Sequence, residues 1–282
     1  MTRIAYLPLA SLILAGCGRG PIDPSLAVFI SPDTQALVGV RMDQLRATPA
    51  WRKLAASNLL PRLDPVRLED IREILLAGDG KQMLAIATGA FETKPAGLDS
   101  TPYRGHALFA TSGDTVIAFL DRRTALAGGA SAVRVAIDQY ESGERRAPPA
   151  LMARAQSVPG NVQIWAVVAG WQGLAPDRLR EMGNAGNVDR VLRSVSGAYL
   201  TIDLRAGLHA TAIGDCRNEA DAKTLSGELS GLAGLARLAI PRNRPDLQRA
   251  YDGIRVTQDG RTIRLTVDLT EDQVDGLLDA IR

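Results

Sequence analysis

The sequence has little of what most catalytic and metal sites are built from. Histidine occurs only as His106 and His209, and cysteine only as Cys17 and Cys216. Neither histidine has a companion at ligand spacing, so no metal centre is expected and no cofactor is assigned. The signatures G-x-S-x-G, H-E-x-x-H, the P-loop and the Gly-rich dinucleotide turn are all missing. A carboxylate pair can hydrolyse a substrate without any such motif, but the many Asp and Glu residues single out no pair. Charge excess is missing too. The 33 basic and 31 acidic side chains give a formal net charge of +2, whereas a nucleic-acid partner calls for a clear basic excess. Aromatic residues make up 4% of the chain, and Trp51, Trp165 and Trp171 read as packing residues rather than a stacking platform.

The apolar run at the start of the chain, residues 4–14, is shorter than the ~20 residues that cross a bilayer as a helix. Gly18-Arg19-Gly20-Pro21 stops it from continuing. With Arg3 before it and small residues at its end, the segment has the layout of a secretory signal. Its end, Leu14-Ala15-Gly16-Cys17, resembles the lipobox of bacterial lipoproteins at all four positions. The resemblance covers the export segment and not the folded part. It implies that the Cys17 thiol carries a diacylglycerol, that residues 1–16 are removed, and that the new amino group is acylated. Two or three acyl chains anchor a protein stably, since each buried CH₂ contributes ~0.8 kcal/mol. The partner this implies is a membrane, reached through lipid on Cys17. Gly18 stands where an aspartate often signals inner-membrane retention in this class, which favours an outer membrane facing the periplasm in a Gram-negative cell. With Cys17 lipidated, Cys216 has no intramolecular partner. Cys216 lies just before a helix start, where a thiol pKa can be lowered; the plainer reading is a small side chain at a strand end.

Residues 17–32 read as the lipidated cysteine and a flexible tether, with 26–30 a candidate start of the fold. Residues 33–145 and 150–282 read as two α+β halves, separated by the charged, Pro-rich stretch 142–149. In the first half a strand is expected over 36–40 and a helix over 42–56, interrupted at Pro49. Hairpins follow at 71–77/83–88 and 106–111/115–120, separated by a polar loop over 92–104, and a helix closes the half over 131–140. In the second half a strand is expected over 162–168, a short helix over 176–182, and a hairpin at 196–204/208–213. A long helix over 218–238, a hairpin at 254–257/262–269 and a helix over 270–281 complete it. Asn218 with Asp221, and Thr270 with Gln273, are helix-capping patterns. The expected class is therefore α+β, with mainly antiparallel sheets, packed helices and an internal duplication of a strand-helix-hairpin-hairpin-helix unit.

Alternation assigns the faces. In the second half, Leu200, Ile202, Leu265 and Val267 oppose polar neighbours. The polar face carries Tyr199, Asp203, His209, Arg255, Arg264 and Asp268, and is the candidate surface for an envelope protein, anionic or glycan partner; a solvated face with cross-strand charge pairs has the same appearance. In the first half, residues 83–87 and 116–120 are apolar on both sides, so they are covered on both faces or cover something. The functional expectation is a lipid-anchored, non-catalytic binding or assembly module of the cell envelope. The alternatives are a carrier of a lipid or other apolar ligand, and an envelope hydrolase without a recognisable motif.

Overall fold

The structure is a computed structural model. It describes residues 22–57, 65–111, 113–170, 194–238 and 245–281. Cys17, the lipobox, Trp171 and the helix expected over 176–182 lie outside them.

Among the described residues, twelve strands form one antiparallel sheet. The first half supplies β1 (Ala36–Arg41), β2 (Ile71–Gly78), β3 (Met83–Gly89), β4 (Ser100–Tyr103), β5 (His106–Ala110), β6 (Thr115–Phe119) and β7 (Thr124–Gly129). The second supplies β8 (Ile164–Val168), β9 (Val195–Asp203), β10 (Leu208–Cys216), β11 (Ile254–Asp259) and β12 (Thr262–Leu269). The strand order is β11-β12-β10-β9-β8-β1-β2-β3-β7-β6-β5-β4. The class is α+β with a mainly antiparallel sheet. The halves meet edge to edge where β1 pairs with β8. Outward from that seam the order repeats: β1, β2, β3, β7, β6 on one side and β8, β9, β10, β12, β11 on the other.

The helices are α1 (Met42–Arg46), α2 (Pro49–Ala55), α3 (Ala130–Ser142), α4 (Pro149–Gln156), α5 (Glu219–Leu238), α6 (Pro245–Asp252) and α7 (Glu271–Ile281). Pro49 breaks the helix expected over 42–56 and restarts it: it occupies the first turn of α2, and the Thr48 hydroxyl accepts the Trp51 N–H at 3.2 Å. Both capping patterns form. Asp221 N–H donates to Asn218 Oδ1 at 2.8 Å, and Thr270 N–H donates to Gln273 Oε1 at 2.8 Å.

Four elements depart from the expectation. β4 lies inside the expected polar loop, β7 follows β6 without a marked turn signal, and α4 begins within the double proline. α6 precedes β11. Residues 22–32, expected to be part of a flexible tether, belong to the fold. From Ile22 the chain is packed, with Leu26, Phe29 and Ile30 buried. Gln139 of α3 holds this segment by donating to the carbonyls of Val28 at 2.7 Å and Ile30 at 2.9 Å.

One face of the first half carries the main core. Leu37, Leu75, Leu84, Ile86, Leu126 and Trp165 pack under Val133 and Ile137 of α3 and Leu151 of α4. On the opposite face α1 and α2 cover one end, and Met42 and Leu45 pack with Ile71 and Phe119. In the second half that same face is covered by α5 through Ala222 and Leu225, and by α6 and α7 through Ala250 and Val274. Gly39 faces Trp165 across the seam, and a Cβ on Gly39 would lie 2.2 Å from the indole. Only glycine lets that buried ring lie against the sheet.

Candidate functional site

The six residues of the polar face lie on β9, β10, β11 and β12. Register brings three of them into one row, with His209 opposite Asp203 on one side and Asp268 on the other. Those charges are largely consumed by neighbours. Asp203 accepts the Arg205 backbone N–H at 3.0 Å and the guanidinium Nε at 2.9 Å. These bonds hold its carboxyl below the usual range. His209 sits between two acceptors, Asp268 Oδ1 at 2.9 Å from Nδ1 and the Ala206 carbonyl at 3.1 Å from Nε2. Neither acceptor can supply a proton, so the doubly protonated ring is favoured and its pKa rises, chiefly through the bond to Asp268. An imidazole engaged at both nitrogens is not poised as a general base. Tyr199 is half-buried against the main core. Arg255 and Arg264 stay exposed, with no ion pair among the described residues. The second half also lends this face to α4, where Arg154 pairs with Asp215 at 2.7 Å.

Cys216 is buried, and burial raises its thiol pKa, with Asp221 and Asp215 adding to the effect. It lacks the electropositive, accessible setting of a reactive cysteine.

The first half holds a feature that alternation alone did not resolve. Along β3, Leu84 and Ile86 point into the main core, and Ala85 and Ala87 point the other way. On β7, Ala125 faces Ala87 and Ala127 faces Ala85. Four small side chains thus make two cross-strand pairs in the middle of the sheet. Larger neighbours stand on each side: Ile74 opposite Ala87 on β2, and Ile117 opposite Ala127 on β6. The result is a trough with an alanine floor. It opens as an apolar groove of about 800 Å³, roofed in part by Ala96 and Leu98. That size falls within the roughly 300–1,000 Å³ of small-ligand sites.

A second groove of about 840 Å³ adjoins it. Pro65 and Val66 line both. Its floor includes Phe91 and Phe119, whose rings lie 6.0 Å apart. Its rim carries Arg67, Lys94 and Arg122 with Asp70 and Glu92. Arg67 is engaged by Asp70 at 2.8 Å. Lys94 and Arg122 are exposed and have no ion pair among the described residues. None of the six polar-face residues lines either groove.

No family model matches the chain, and no curated protein matches it. Solved structures of similar fold do exist. Crystal form III of the protein TP0453 superposes with a TM-score of 0.53 at 10% identity, over 92% of this chain and 98% of that one. Crystal form I gives 0.53 at 12% identity, over 92% and 96%. Crystal form IV gives 0.50 at 10% identity, over 95% and 99%. The likeness spans nearly the whole of both chains and is one of fold.

Proposed function

We propose that the chain is a lipid-anchored, non-catalytic binding module of the cell envelope, and that it carries a lipid or another apolar ligand in the first-half groove. The observation that carries the ligand reading is the alanine floor. Four cross-strand alanines open a space over a sheet face that is otherwise built of large apolar side chains. An apolar groove of this size gains affinity by removing a hydrocarbon ligand from water, at roughly 25 cal/mol per Å² of apolar surface buried. The anchor reading rests on Leu14-Ala15-Gly16-Cys17 behind a short apolar signal. Together they support a carrier beside a membrane, on the outer membrane facing the periplasm if the cell has one.

The two parts have separate tests. Cys17→Ala is expected to move the protein from the membrane fraction to the soluble or unprocessed pool; retention as a processed membrane protein would remove the anchor claim. Lipid extracted from the purified wild-type chain is expected to contain a non-covalent species in fixed ratio to protein. A second reading, a protein partner on the polar sheet face, is favoured by the exposed Arg255 and Arg264. The double variant Arg255→Glu/Arg264→Glu tests it. Loss of a partner recovered by crosslinking in the native host supports that reading, and unchanged recovery rejects it.

A further inference from the structure

The two grooves adjoin, and they differ in character. The alanine-floored compartment is apolar. The adjoining one has apolar walls and a rim with more cations than acids, where Lys94 and Arg122 have no ion pair among the described residues and Glu92 acts on Arg67. A ligand that fills both has a hydrocarbon part and a bulky, negatively charged head. The head compartment is as large as the chain compartment, about 840 Å³ against 800 Å³. That favours a phosphate-bearing headgroup over a bare carboxylate.

Where the chain enters the fold identifies the source. Asp23, one residue beyond the first described position, lies 3.6 Å from Arg72. Arg72 directly follows Asp70 and Ile71, which line the two grooves. The N-terminal attachment and part of each groove's lining therefore share the start of β2. Five peptide steps separate Cys17 from Ile22, which reach at most about 17 Å. A lipid on Cys17 thus keeps this end of β2 close to the bilayer surface.

We infer that the occupant is an anionic phospholipid taken from the bilayer that holds the anchor, its head at Lys94 and Arg122 and an acyl chain over the alanine floor. This rests on the carrier reading and adds headgroup charge and source to it. The geometry directs the head outward at the rim, where two cations replace the hydration of its phosphate.

The test uses the full, lipid-processed chain in vesicles containing phosphatidylglycerol with a photoactivatable acyl chain. Phosphatidylcholine with the same chain, and a photoactivatable free fatty acid, are the comparison probes. The expected result is acyl labelling within 71–87 and 115–127, stronger from phosphatidylglycerol. The double variant Lys94→Glu/Arg122→Glu should weaken phosphatidylglycerol labelling roughly tenfold and phosphatidylcholine labelling less, since its choline cation already offsets the phosphate charge. Both side chains are exposed, and a circular-dichroism spectrum checks that the variant folds. Equal labelling by the two phospholipids, or no effect of the variant, overturns the headgroup assignment and leaves the carrier reading standing. Labelling by the fatty acid alone overturns the phospholipid source. Labelling confined to the tether for every probe overturns the inference and the carrier reading together.

Discussion

Glu73 sits on the core side of β2, opposite Arg41 on β1 and Thr88 on β3. Burial pushes its carboxyl up to about 7 from an ordinary 4.5; Asp23 and Asp43 add to the rise, and Arg41 and Arg72 oppose it. The Thr88 hydroxyl beside it is buried without a hydrogen-bond partner among the described residues. The folded protein therefore holds a proton that the unfolded chain releases between pH 4.5 and about 7. Its contribution to stability is fully present below the unfolded value and is lost as pH rises through the folded one. Thermal melts across that interval should show stability falling with pH. Glu73→Gln should flatten the fall and raise the melting temperature at roughly pH 8; an unchanged slope would mean the carboxylate is better solvated than its burial implies. His209 titrates with the same sense. Its pair with Asp268 is fully present below the ordinary 6.5 and weakens as pH rises through the raised folded value. At Cys216 the expectation is inertness: the folded chain should resist alkylation, with modification appearing only in denaturant. Rapid labelling of the native protein would show that the strand end opens.

At the scale of elements, the seam between β1 and β8 joins the two halves. Adding a methyl group at Gly39 forces the Trp165 ring off the sheet. Gly39→Ala should destabilise the protein by about 1–3 kcal/mol, as overpacked cores do, read as a lowered urea midpoint; an unchanged midpoint would show that the ring has room to move. The hairpins were legible because Gly-Asp turn signals stand between apolar strands, as at Gly78–Lys81 and Ser112–Asp114. The caps at Asn218 and Thr270 were legible for the same local reason. β7 was not, since Thr-Ala-Leu-Ala-Gly-Gly carries small residues without strong strand propensity. β4 hid behind Pro102, which a sheet accepts near its edge. Nor does periodicity say which strands are neighbours, so the β1–β8 pairing had no signal within either strand. The polar face of β9 to β12 could be read from alternation. The groove could not, because alanine and isoleucine count alike as apolar. Comparing side-chain volumes at 85, 87, 125 and 127 once β3 and β7 are paired is the step that reveals it.

At the scale of the molecule, one sheet is used in two ways. Its first half is packed under α3 on one side and open over alanines on the other. Its second half is covered on the apolar side and wet on the polar side. The matching strand order outward from the seam fits a duplicated ancestor whose copies diverged in these faces, and we offer that as a proposal from topology. In the proposed reading, lipid on Cys17 supplies the location and brings the start of β2 near the bilayer. The account's central claim is that the alanine-floored groove holds lipid. Native mass spectrometry of the full, processed chain, released from membranes in mild detergent, tests this most directly. The account predicts a stoichiometric phospholipid adduct on the wild type, beyond the covalent acyl groups, and its loss in Ala85→Trp/Ala87→Trp with the melting temperature preserved. An adduct retained in the filled variant, or absent from the wild type, would contradict it.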